Sequence, residues 1–372
     1  MTAETNLKSL PLAALHAELG GKMVPFAGYA MPVQFPAGVM AEHLHTREKA
    51  GLFDVSHMGQ VIVHGEGRAE ALERLLPVNV MGLAEGRQRY GLLTLPNGGV
   101  ADDLMFANRG DHLLLVVNGA MKHADMEILT AGLPDHEVTL LEDRALLALQ
   151  GPSAEAVLEA LVPGTGAMKF MDVATFPYDG AELWISRSGY TGEDGYEISV
   201  PVDTAEALAR AILAHDDVLP IGLGARDSLR LEAGMPLYGQ DLTGNITPVE
   251  ADLKWAIQKV RRTGGDRAGG FTGDAVILSQ LDDGATRRRA GLLPQGRAPM
   301  RMGVMLYDSE TATAPVGTVT SGGFGPSVGA PVAMGYVPAD CAPGTTLYGD
   351  VRGKRLPVTV AELPFHTPRY KR

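Results

Sequence analysis

The sequence predicts an α+β fold in which antiparallel sheets and helices precede a C-terminal antiparallel β-barrel. The 372 residues include 46 Gly and 24 Pro, a turn-rich composition that favours β structure over a helical bundle. Hairpin patterns are interleaved with helical patterns in the first two thirds of the chain, which favours α+β over a doubly wound sheet. From about Arg287 onward, short apolar strands alternate with Gly and Pro turns, a pattern typical of a small barrel or jelly roll.

The first elements are helical patterns that end at glycines. Residues 10–19 are amphipathic and stop at Gly20, and residues 39–50 stop at Gly51, where a C′ glycine would accept a positive φ. A strand is then predicted at residues 60–64 and a third helix at residues 67–76.

A three-strand meander follows at residues 90–118. Its strands are YGLLTLP, VADDLMFAN and HLLLVVN, separated by turns at residues 97–99 and 109–111. Asn-Gly between apolar runs is a strong hairpin signal, because type I′ turns need two residues at positive φ. Later patterns predict helices at 120–132, 153–161, 205–213 and 225–232, and strands at 138–141, 145–149, 182–186 and 196–200.

The predicted barrel begins after a glycine-rich link at residues 263–273, and we place the domain boundary between residues 270 and 271. Residues 1–270 would form two lobes, of which the first is discontinuous in sequence, and residues 271–372 the barrel. The barrel strands are AGLLP, MGVMLYD, VGTVTSGG, VAMGYVP, TTLYGDV and RLPVTVAEL.

Composition narrows the function classes. The net charge of −12 argues against nucleic acid as the main partner, since phosphate binding needs a basic surface. The apolar runs are far shorter than the ~20 residues that span a bilayer, so no membrane partner is expected. With Cys341 alone no internal disulfide can form, and the N-terminus MTAETNLKSL lacks the features of a signal or transit peptide. We therefore expect a cytoplasmic protein.

Nucleotide-binding and hydrolase motifs are present only in part. GEGRAE and GLGARD lack the third glycine of a dinucleotide fingerprint and are interpreted as ordinary turns or helix starts. GPSVG places Ser327 in a G-x-S-x-G pattern, followed by Asp340 or Asp350 and by His366, in the order of an α/β-hydrolase. A strand pattern, APVAMGYV, follows where that fold needs a helix, so we favour a hairpin turn.

A metal site is also considered, because Glu42, His43, His45 and His57 cluster in the sequence. His43 and His45 would face different directions on a helix. Local hydrogen bonding is therefore favoured over zinc, and no metal is expected.

Three polar sets are more informative. Asp102 and Asp103 lie inside an otherwise apolar predicted strand. Because adjacent strand residues face opposite sides of a sheet, at most one of the two carboxylates can enter a given cavity. The alternative is a sheet with one solvated face. Glu197 follows the tight, glycine-rich loop RSGYTGEDG, which could hold its carboxylate in a fixed position. The alternative is that Glu197 belongs to the polar face of an amphipathic strand. Arg226 and Arg230 are i, i+4 on a helix, for which surface ion pairs are the alternative.

Nine runs spread over the chain are informative as a set: GGKMVPFAGYAMPVQF, HLHTREKAGLFDVSHMG, ADDLMF, ALQGP, SGYTGEDGYEISVP, GLGARDSLRLEAGMPLYG, TPVEADLKW, GTVTSGGFGPS and AMGYVP. In this order they resemble the aminomethyltransferases, the T-proteins of the glycine cleavage system. Related iron–sulfur assembly proteins carry a Lys-Gly-Cys-Tyr motif that is absent here, and 372 residues leave no room for the flavin domain of the folate-linked demethylases.

The resemblance implies three lobes around a central folate cavity, the last lobe being the barrel. It also implies a reaction in which the one-carbon unit of an aminomethyl group passes from the lipoyl arm of an H-protein to tetrahydrofolate. The products are 5,10-methylenetetrahydrofolate, ammonia and the dihydrolipoyl arm. Tetrahydrofolate is thus the expected co-substrate and a lipoylated H-protein the expected partner, while a non-catalytic folate-binding scaffold or assembly factor is the alternative.

The family's site residues map onto this sequence through its motifs. Asp103 matches the catalytic aspartate, and its position thirteen after Tyr90 favours it over Asp102. Glu197 matches a pterin-binding glutamate, since a carboxylate can accept the amino group and ring N–H of a pterin together. The further matches are Arg226 and Tyr370 as folate-binding residues, and Tyr90, Tyr190 and Asn118 as cavity-lining ones.

A docking surface for the H-protein is a further expectation. Residues 251–300 contain nine basic and five acidic residues within a chain of net charge −12. Part of this segment could steer an acidic partner, which charge reversal of Arg287, Arg288 and Arg289 would test. The alternative is a scattered, solvated surface.

Overall fold

The computed structural model describes residues 7–372, so the first six residues of the N-terminal segment lie outside the described part. Among residues 7–372, every helix is too short or too polar to span a lipid bilayer. The α-helices described are α1 (Ala13–Glu18), α2 (Val39–Glu48), α3 (Arg68–Leu72), α4 (Lys122–Gly132), α5 (Ala154–Leu161), α6 (Val202–Leu213), α7 (Leu223–Glu232) and α8 (Asp274–Asp283), with short 3-10 turns at Thr165–Ala167, Lys254–Ala256 and Lys259–Arg261.

The first sheets are a hairpin and a six-stranded sheet. The hairpin pairs β1 (Lys22–Phe26) with β2 (Tyr29–Gln34). In the larger sheet the short last strand runs parallel to its neighbour, while the other pairs are antiparallel. The order is β10 (Val173–Tyr178), β11 (Ala181–Ser186), β12 (Gly195–Pro201), β9 (Arg144–Gln150), β3 (Ala50–Asp54) and β13 (Val218–Pro220).

The predicted meander forms three adjacent strands on one side of an antiparallel five-stranded sheet. Its order is β5 (Arg87–Thr94), β6 (Val100–Asn108), β7 (Leu113–Val117), β4 (Gly59–His64) and β8 (Glu137–Leu141). One face packs on α3, α4 and residues 242–256 in a single apolar core. The other face meets the six-stranded sheet, where Ala107 and Leu114 contact Val173 and Trp184. Strand β6, the middle strand of the meander, is therefore covered on both faces.

The C-terminal strands close into a barrel, as predicted. Each of the six predicted segments contains one strand, in the order β14 (Arg287–Pro294), β17 (Ala330–Pro338), β16 (Gly317–Gly325), β15 (Met305–Tyr307), β18 (Thr346–Val351) and β19 (Lys354–Ala361). The barrel has its own apolar core. Helix α8 precedes it, and the boundary at residues 270 and 271 stays a prediction.

Local details differ from the sequence predictions where tertiary pairing overrides a local signal. Gly51, predicted to end a helix, lies inside strand β3, where it pairs with Gln150; a Cβ there would meet the side chains of Ile221 and Thr46 at 2.5 and 2.6 Å. Strands β1, β2 and β10 were not predicted, because each contains a proline, which in a sequence argues against a strand interior.

Candidate active site

The meander brings together three of the predicted residues. The Tyr90 hydroxyl donates a hydrogen bond to Asp103 Oδ2 at 2.9 Å, and Asn118 Nδ2 donates to Asp103 Oδ1 at 2.9 Å. In the β5–β6 register Asp103 lies opposite Leu92, two residues after Tyr90, so the two side chains share a face of the sheet. That face is directed toward the six-stranded sheet.

Burial controls the charge of Asp103. Loss of solvation and the neighbouring Asp102 carboxyl raise the pKa of Asp103 to about 7, against the lowering effect of the Tyr90 and Asn118 hydrogen bonds. Burial also raises the pKa of the Tyr90 hydroxyl, which therefore remains a hydrogen-bond donor at neutral pH. An aspartate with a pKa near neutrality can exchange a proton with a reacting group, as general acid–base catalysis requires.

Asp102 lies on the opposite face of β6, as predicted, but that face is not solvated. The residue is 0% exposed, because the core built on α3 and α4 covers it. Asn118 donates to its carboxyl from Nδ2 at 2.8 Å and from its backbone nitrogen at 3.3 Å. The alternative of a solvated strand face is therefore wrong for this strand.

Glu197 and Arg226 form the second part of the site. Glu197 projects from β12 and accepts a hydrogen bond from the Ser188 hydroxyl at 3.2 Å. Burial raises its pKa and the nearby Arg226 guanidinium lowers it. Arg226, on α7, has its guanidinium carbon 4.9 Å from the ring centre of Tyr190, and within residues 7–372 its buried Nη1 has no hydrogen-bond partner. These groups offer acceptors and donors to a polar ligand.

Tyr190 lies near charged residues of both parts of the site. Burial raises its pKa, and the charges of Asp103 and Arg226 both act on its hydroxyl. That hydroxyl donates a hydrogen bond to the Pro236 carbonyl, which fixes the orientation of the ring.

A small cavity extends from Glu197 between the two sheets. Its volume is about 30 Å³, room for a water molecule or two. Among its lining residues, Gln60 Oε1 and Gln88 Nε2 are buried without a hydrogen-bond partner in the described chain. Unsatisfied buried amides of this kind indicate a place for water or for the polar edge of a ligand.

The recorded contacts of Tyr370 are with residues other than the six further predicted site residues. Its ring stacks on Phe170, with centroids 4.1 Å apart and planes inclined by 8°, and the adjacent Lys371 carbonyl accepts a backbone hydrogen bond from Phe170. Burial raises the pKa of Tyr370 to about 12. Within residues 7–372 no hydrogen bond or aromatic stacking joins Tyr370 to Asp103, Glu197 or Arg226, so its role at the site stays a prediction.

Sequence reasoning did not assign two further residues to the site: Trp255, and His57, which it considered only as a metal ligand. Trp255 stacks on Tyr90 with ring centres 5.6 Å apart and is 64% exposed, so it marks the solvent side of the site. His57 is buried, and burial together with Arg226 lowers its pKa to about 3; its imidazole is neutral beside that arginine. Trp255 lies within the run TPVEADLKW, and His57 lies within FDVSHMG. The sequence of these runs does not indicate that Trp255 is exposed and stacks on Tyr90, or that His57 is buried near Arg226.

Glu42 and His45, two of the residues considered as metal ligands, contact different partners in the structure. Glu42 accepts backbone hydrogen bonds from Phe35 and Gly222, and His45 contacts the Asp217 carbonyl. Within residues 7–372 no group of His, Cys, Asp and Glu is arranged to hold a metal ion.

The geometry around Ser327 argues against hydrolysis. His43 Nε2 lies 2.9 Å from the Ser327 hydroxyl and 3.1 Å from Glu232, so serine and carboxylate share one ring nitrogen. A Ser-His-Asp arrangement needs one partner on each nitrogen. His366 instead contacts Glu193, and Ser327 lies in the turn between β16 and β17.

The three consecutive arginines of the expected docking surface are also engaged. Arg289 is buried and donates to the carbonyls of Ala251 and Gly234. Arg287 pairs with Glu250, and Arg288 donates to the Cys341 carbonyl. Arg287 and Arg289 thus contact the chain that precedes the barrel, whereas Arg288 contacts Cys341 within it. Burial makes Arg289 unsuited to steering a partner, and a docking role for the rest of residues 251–300 stays a prediction.

Comparison with known proteins identifies the class. A family model described as the GCVT N-terminal domain matches residues 12–261, and one described as the glycine cleavage T-protein C-terminal barrel domain matches residues 287–366. A mitochondrial aminomethyltransferase of Dictyostelium discoideum is 42% identical over 390 residues, covering 100% of this chain and 95% of that protein. One of Gallus gallus is 43% identical over 380 residues, covering 99% and 95%.

The fold agrees with these relatives. The crystal structure of glycine cleavage system aminomethyltransferase T from Bartonella henselae superposes with a TM-score of 0.92 at 44% identity, covering 98% of this chain and 100% of that one. The class that the fold and the site define is that of the aminomethyltransferases. Within this class, the chain belongs to the glycine cleavage T-protein family.

Proposed function

We propose that this chain is the aminomethyltransferase of a glycine cleavage system and uses tetrahydrofolate as its co-substrate. The CH2 group of an aminomethyl thioether on a lipoyl arm would be transferred to N5 and N10 of tetrahydrofolate. The C–S and C–N bonds break, and the two N–H protons of the folate end on the thiol and on ammonia. The reaction is balanced without an oxidant, a reductant or a metal.

The observation that carries the proposal is that Tyr90 and Asn118 hold Asp103 on the face of β6 that is directed toward the six-stranded sheet, which carries Glu197 beside Arg226. Glu197 has one hydrogen-bond donor in the described chain, which leaves its carboxylate free to accept the amino group and ring N–H of a pterin. The unpartnered Nη1 of Arg226 is available to an acceptor of the same ligand.

Asp103 would act on the reacting nitrogen atoms. Its carboxylate can accept a proton from a folate nitrogen and stabilise the cationic carbon that forms as ammonia leaves. A pKa of about 7 suits this exchange, because the ionised form is available near neutral pH and the proton can be passed on.

The partner and the location are proposed on the same basis. An H-protein carrying the aminomethylated lipoyl arm would approach the solvent side of the site, where Trp255 is exposed. The cytoplasmic location stays a prediction; the relatives from Dictyostelium and Gallus are named as mitochondrial.

The decisive experiment measures ammonia release from aminomethylated H-protein with and without tetrahydrofolate. A T-protein should release ammonia much faster with tetrahydrofolate and form 5,10-methylenetetrahydrofolate in equal amount. Folate binding by calorimetry without any turnover would instead support the folate-binding scaffold. A fluorophosphonate probe that labels Ser327 would favour the hydrolase.

A further inference from the structure

The segment that follows β19, residues 363–371, leaves the barrel and crosses the part of the chain that carries the candidate site. It first contacts the end of α7, where the backbone nitrogens of Phe365 and His366 both donate to the Glu232 carbonyl at 2.9 Å. Its last residue contacts α5, because Lys371 Nζ lies 2.7 Å from Glu155 Oε2. The segment thereby joins the barrel to two elements that are far from it in the sequence.

Between these two contacts the segment is bonded to the loop at residues 187–194, which connects β11 to β12. His366 Nε2 donates to Glu193 Oε1 at 3.0 Å, and the backbone nitrogen of Arg369 donates to the Gly192 carbonyl at 3.0 Å. The Glu193 side chain is 1% exposed, so water does not compete for its bond to His366. Two successive residues of the loop are therefore held by the segment.

The same loop carries two side chains of the candidate site. The Ser188 hydroxyl is the donor to Glu197 Oε2, and the Tyr190 ring lies against the guanidinium of Arg226, which projects from α7. The geometry of the Glu197 and Arg226 part of the site thus depends on how the loop is placed relative to α7.

The loop approaches the end of α7 closely, and few contacts fix it there. Gly192 has a φ of +81°, and a Cβ at that position would lie 2.8 Å from Ala233 Cβ. The Glu193 carboxylate accepts on Oε1 from Arg47 Nη1 at 3.0 Å and from His366, while its buried Oε2 has no hydrogen-bond partner within residues 7–372. His366 is therefore one of two cationic or hydrogen-bonding side chains that anchor this carboxylate.

We propose that residues 363–371 form a clamp that holds the loop at 187–194 against α7, and that His366 is its positioning residue for folate binding, an inference that rests on the proposed function. The backbone of His366 is bonded to the end of α7 and its side chain to the loop, so one residue spans both elements. When the side-chain bond is lost, the loop spends less time in the arrangement that places Tyr190 and Ser188. The apparent affinity for folate then falls with the population of that arrangement.

The first test measures tetrahydrofolate binding and turnover. His366→Ala removes the bond to Glu193 and keeps the backbone bond to Glu232. The dissociation constant measured by calorimetry should rise about fivefold or more, the lower end of the usual coupling between two sites. KM for tetrahydrofolate should rise with it, whereas kcat should stay within about twofold of the wild type, because saturating folate restores the arranged loop. His366→Gln, whose side-chain amide can donate in place of Nε2, should recover most of the affinity.

The matched control is Arg355→Ala, which removes an ion pair with Asp350 in the β18–β19 hairpin. Its side chain is 22% exposed, against 17% for His366. Arg355→Ala should lower stability without changing the affinity for folate. An unchanged affinity in His366→Ala, an equal loss in Arg355→Ala, or no recovery in His366→Gln would overturn the proposal. A purely structural role of His366 would lower the free energy of unfolding while the folded variant kept the wild-type affinity.

The second test needs no folate. Hydrogen exchange followed by mass spectrometry should show faster exchange of peptides that cover residues 188–194 in His366→Ala than in the wild type or Arg355→Ala, because the loop opens more often. Wild-type exchange of this loop in His366→Ala overturns the clamp, whatever the folate result. Faster exchange in a protein that does not bind tetrahydrofolate supports the clamp and refutes the proposed function alone. In the wild type, bound tetrahydrofolate should slow exchange in residues 363–371 as well, since coupling between two sites is reciprocal; folate binding that leaves this exchange unchanged would also overturn the clamp.

Discussion

The Tyr90 hydroxyl donates to Asp103 Oδ2 at 2.9 Å, across neighbouring strands and thirteen residues of sequence. The intervening hairpin carries the Asn-Gly turn signal, and the β5–β6 register shifts between Leu93 and Thr94. Because side chains alternate along each strand, this register decides which aspartate of the pair meets Tyr90. The hydrogen bond from Tyr90 therefore agrees with the choice of Asp103 over Asp102 that the thirteen-residue spacing favoured.

Removing this hydroxyl should move the pH profile. Tyr90→Phe deletes a donor to the ionised form of Asp103, so the pKa of Asp103 should rise above about 7. The acidic limb of kcat should move to higher pH by about one unit, since a hydrogen bond to a charged group is worth roughly 1.5–3 kcal/mol. Steady-state kinetics between pH 5 and 9 (about the range in which the limb falls) would measure this shift.

The matched control is Tyr196→Phe, which removes a buried hydroxyl that donates to the Thr165 carbonyl at 3.1 Å. It should lower stability and leave the limb in place. If the acidic limb of kcat lies at the same pH in Tyr90→Phe and in the wild type, Asp103 is not the group whose titration determines that limb.

The two aspartates of the pair should differ sharply in turnover. Asp103→Asn keeps the shape but loses the charge, so kcat should fall by about two to four decades, the range usual for positioned acid–base groups. Tetrahydrofolate affinity should change little, because the lost interaction strengthens in the transition state. Asp102→Asn, on the opposite face of β6, should cost far less activity. If Asp102→Asn is the inactive variant, the assignment within the pair is wrong by one residue.

Glu197 should determine pterin affinity. Glu197→Ala removes a bidentate acceptor, and tetrahydrofolate binding should weaken by a few kcal/mol, at roughly 1.5–3 kcal/mol per bond to a charged group. Isothermal titration calorimetry would measure the loss. Glu197→Gln, which keeps one acceptor oxygen, should give an intermediate affinity, and an unchanged affinity in both variants would remove Glu197 from the site.

Local sequence signals predicted those parts of the molecule that depend on neighbours in the chain. The Asn-Gly turn and the alternating apolar residues placed Asp102 and Asp103 on opposite faces of one strand, as the structure has them. The burial of Asp102 depends on α4, which lies some twenty residues later, so no local pattern could distinguish a covered face from a solvated one.

Contacts between residues far apart in the sequence account for most of the features that the sequence did not predict. The three arginines at residues 287–289 look like a solvated cluster in the sequence, yet Arg289 is buried against carbonyls of residues 234 and 251. The stacking of Trp255 on Tyr90 joins residues far apart in the chain. Likewise Ser327, interpreted from its turn signals as a hairpin residue, joins a buried network whose other members come from α2 and α7.

That network yields a prediction for stability. Glu232, on α7, is fully buried and accepts hydrogen bonds from Arg47 Nη2 at 3.1 Å and from the Ser327 backbone nitrogen at 2.8 Å, which joins the barrel to the preceding lobes. Burial raises the pKa of Glu232, but the hydrogen bonds from His43 and Ser327 and the charge of Arg47 outweigh it and lower the pKa to about 2.

A carboxylate whose pKa is lower in the folded state stabilises the fold above its unfolded pKa, here 4.5, and loses that contribution as the pH falls toward about 2. Glu232→Gln should therefore lower the free energy of unfolding by about 3 kcal/mol at pH 7. The difference between variant and wild type should shrink by more than half near pH 3, since protonation then removes the charge from the wild type as well. Urea denaturation at both pH values measures it, with Glu206→Gln, an exposed carboxylate on α6, as the control. A difference that is equal at pH 7 and pH 3 would show that Glu232 stabilises the fold by packing rather than by its charge.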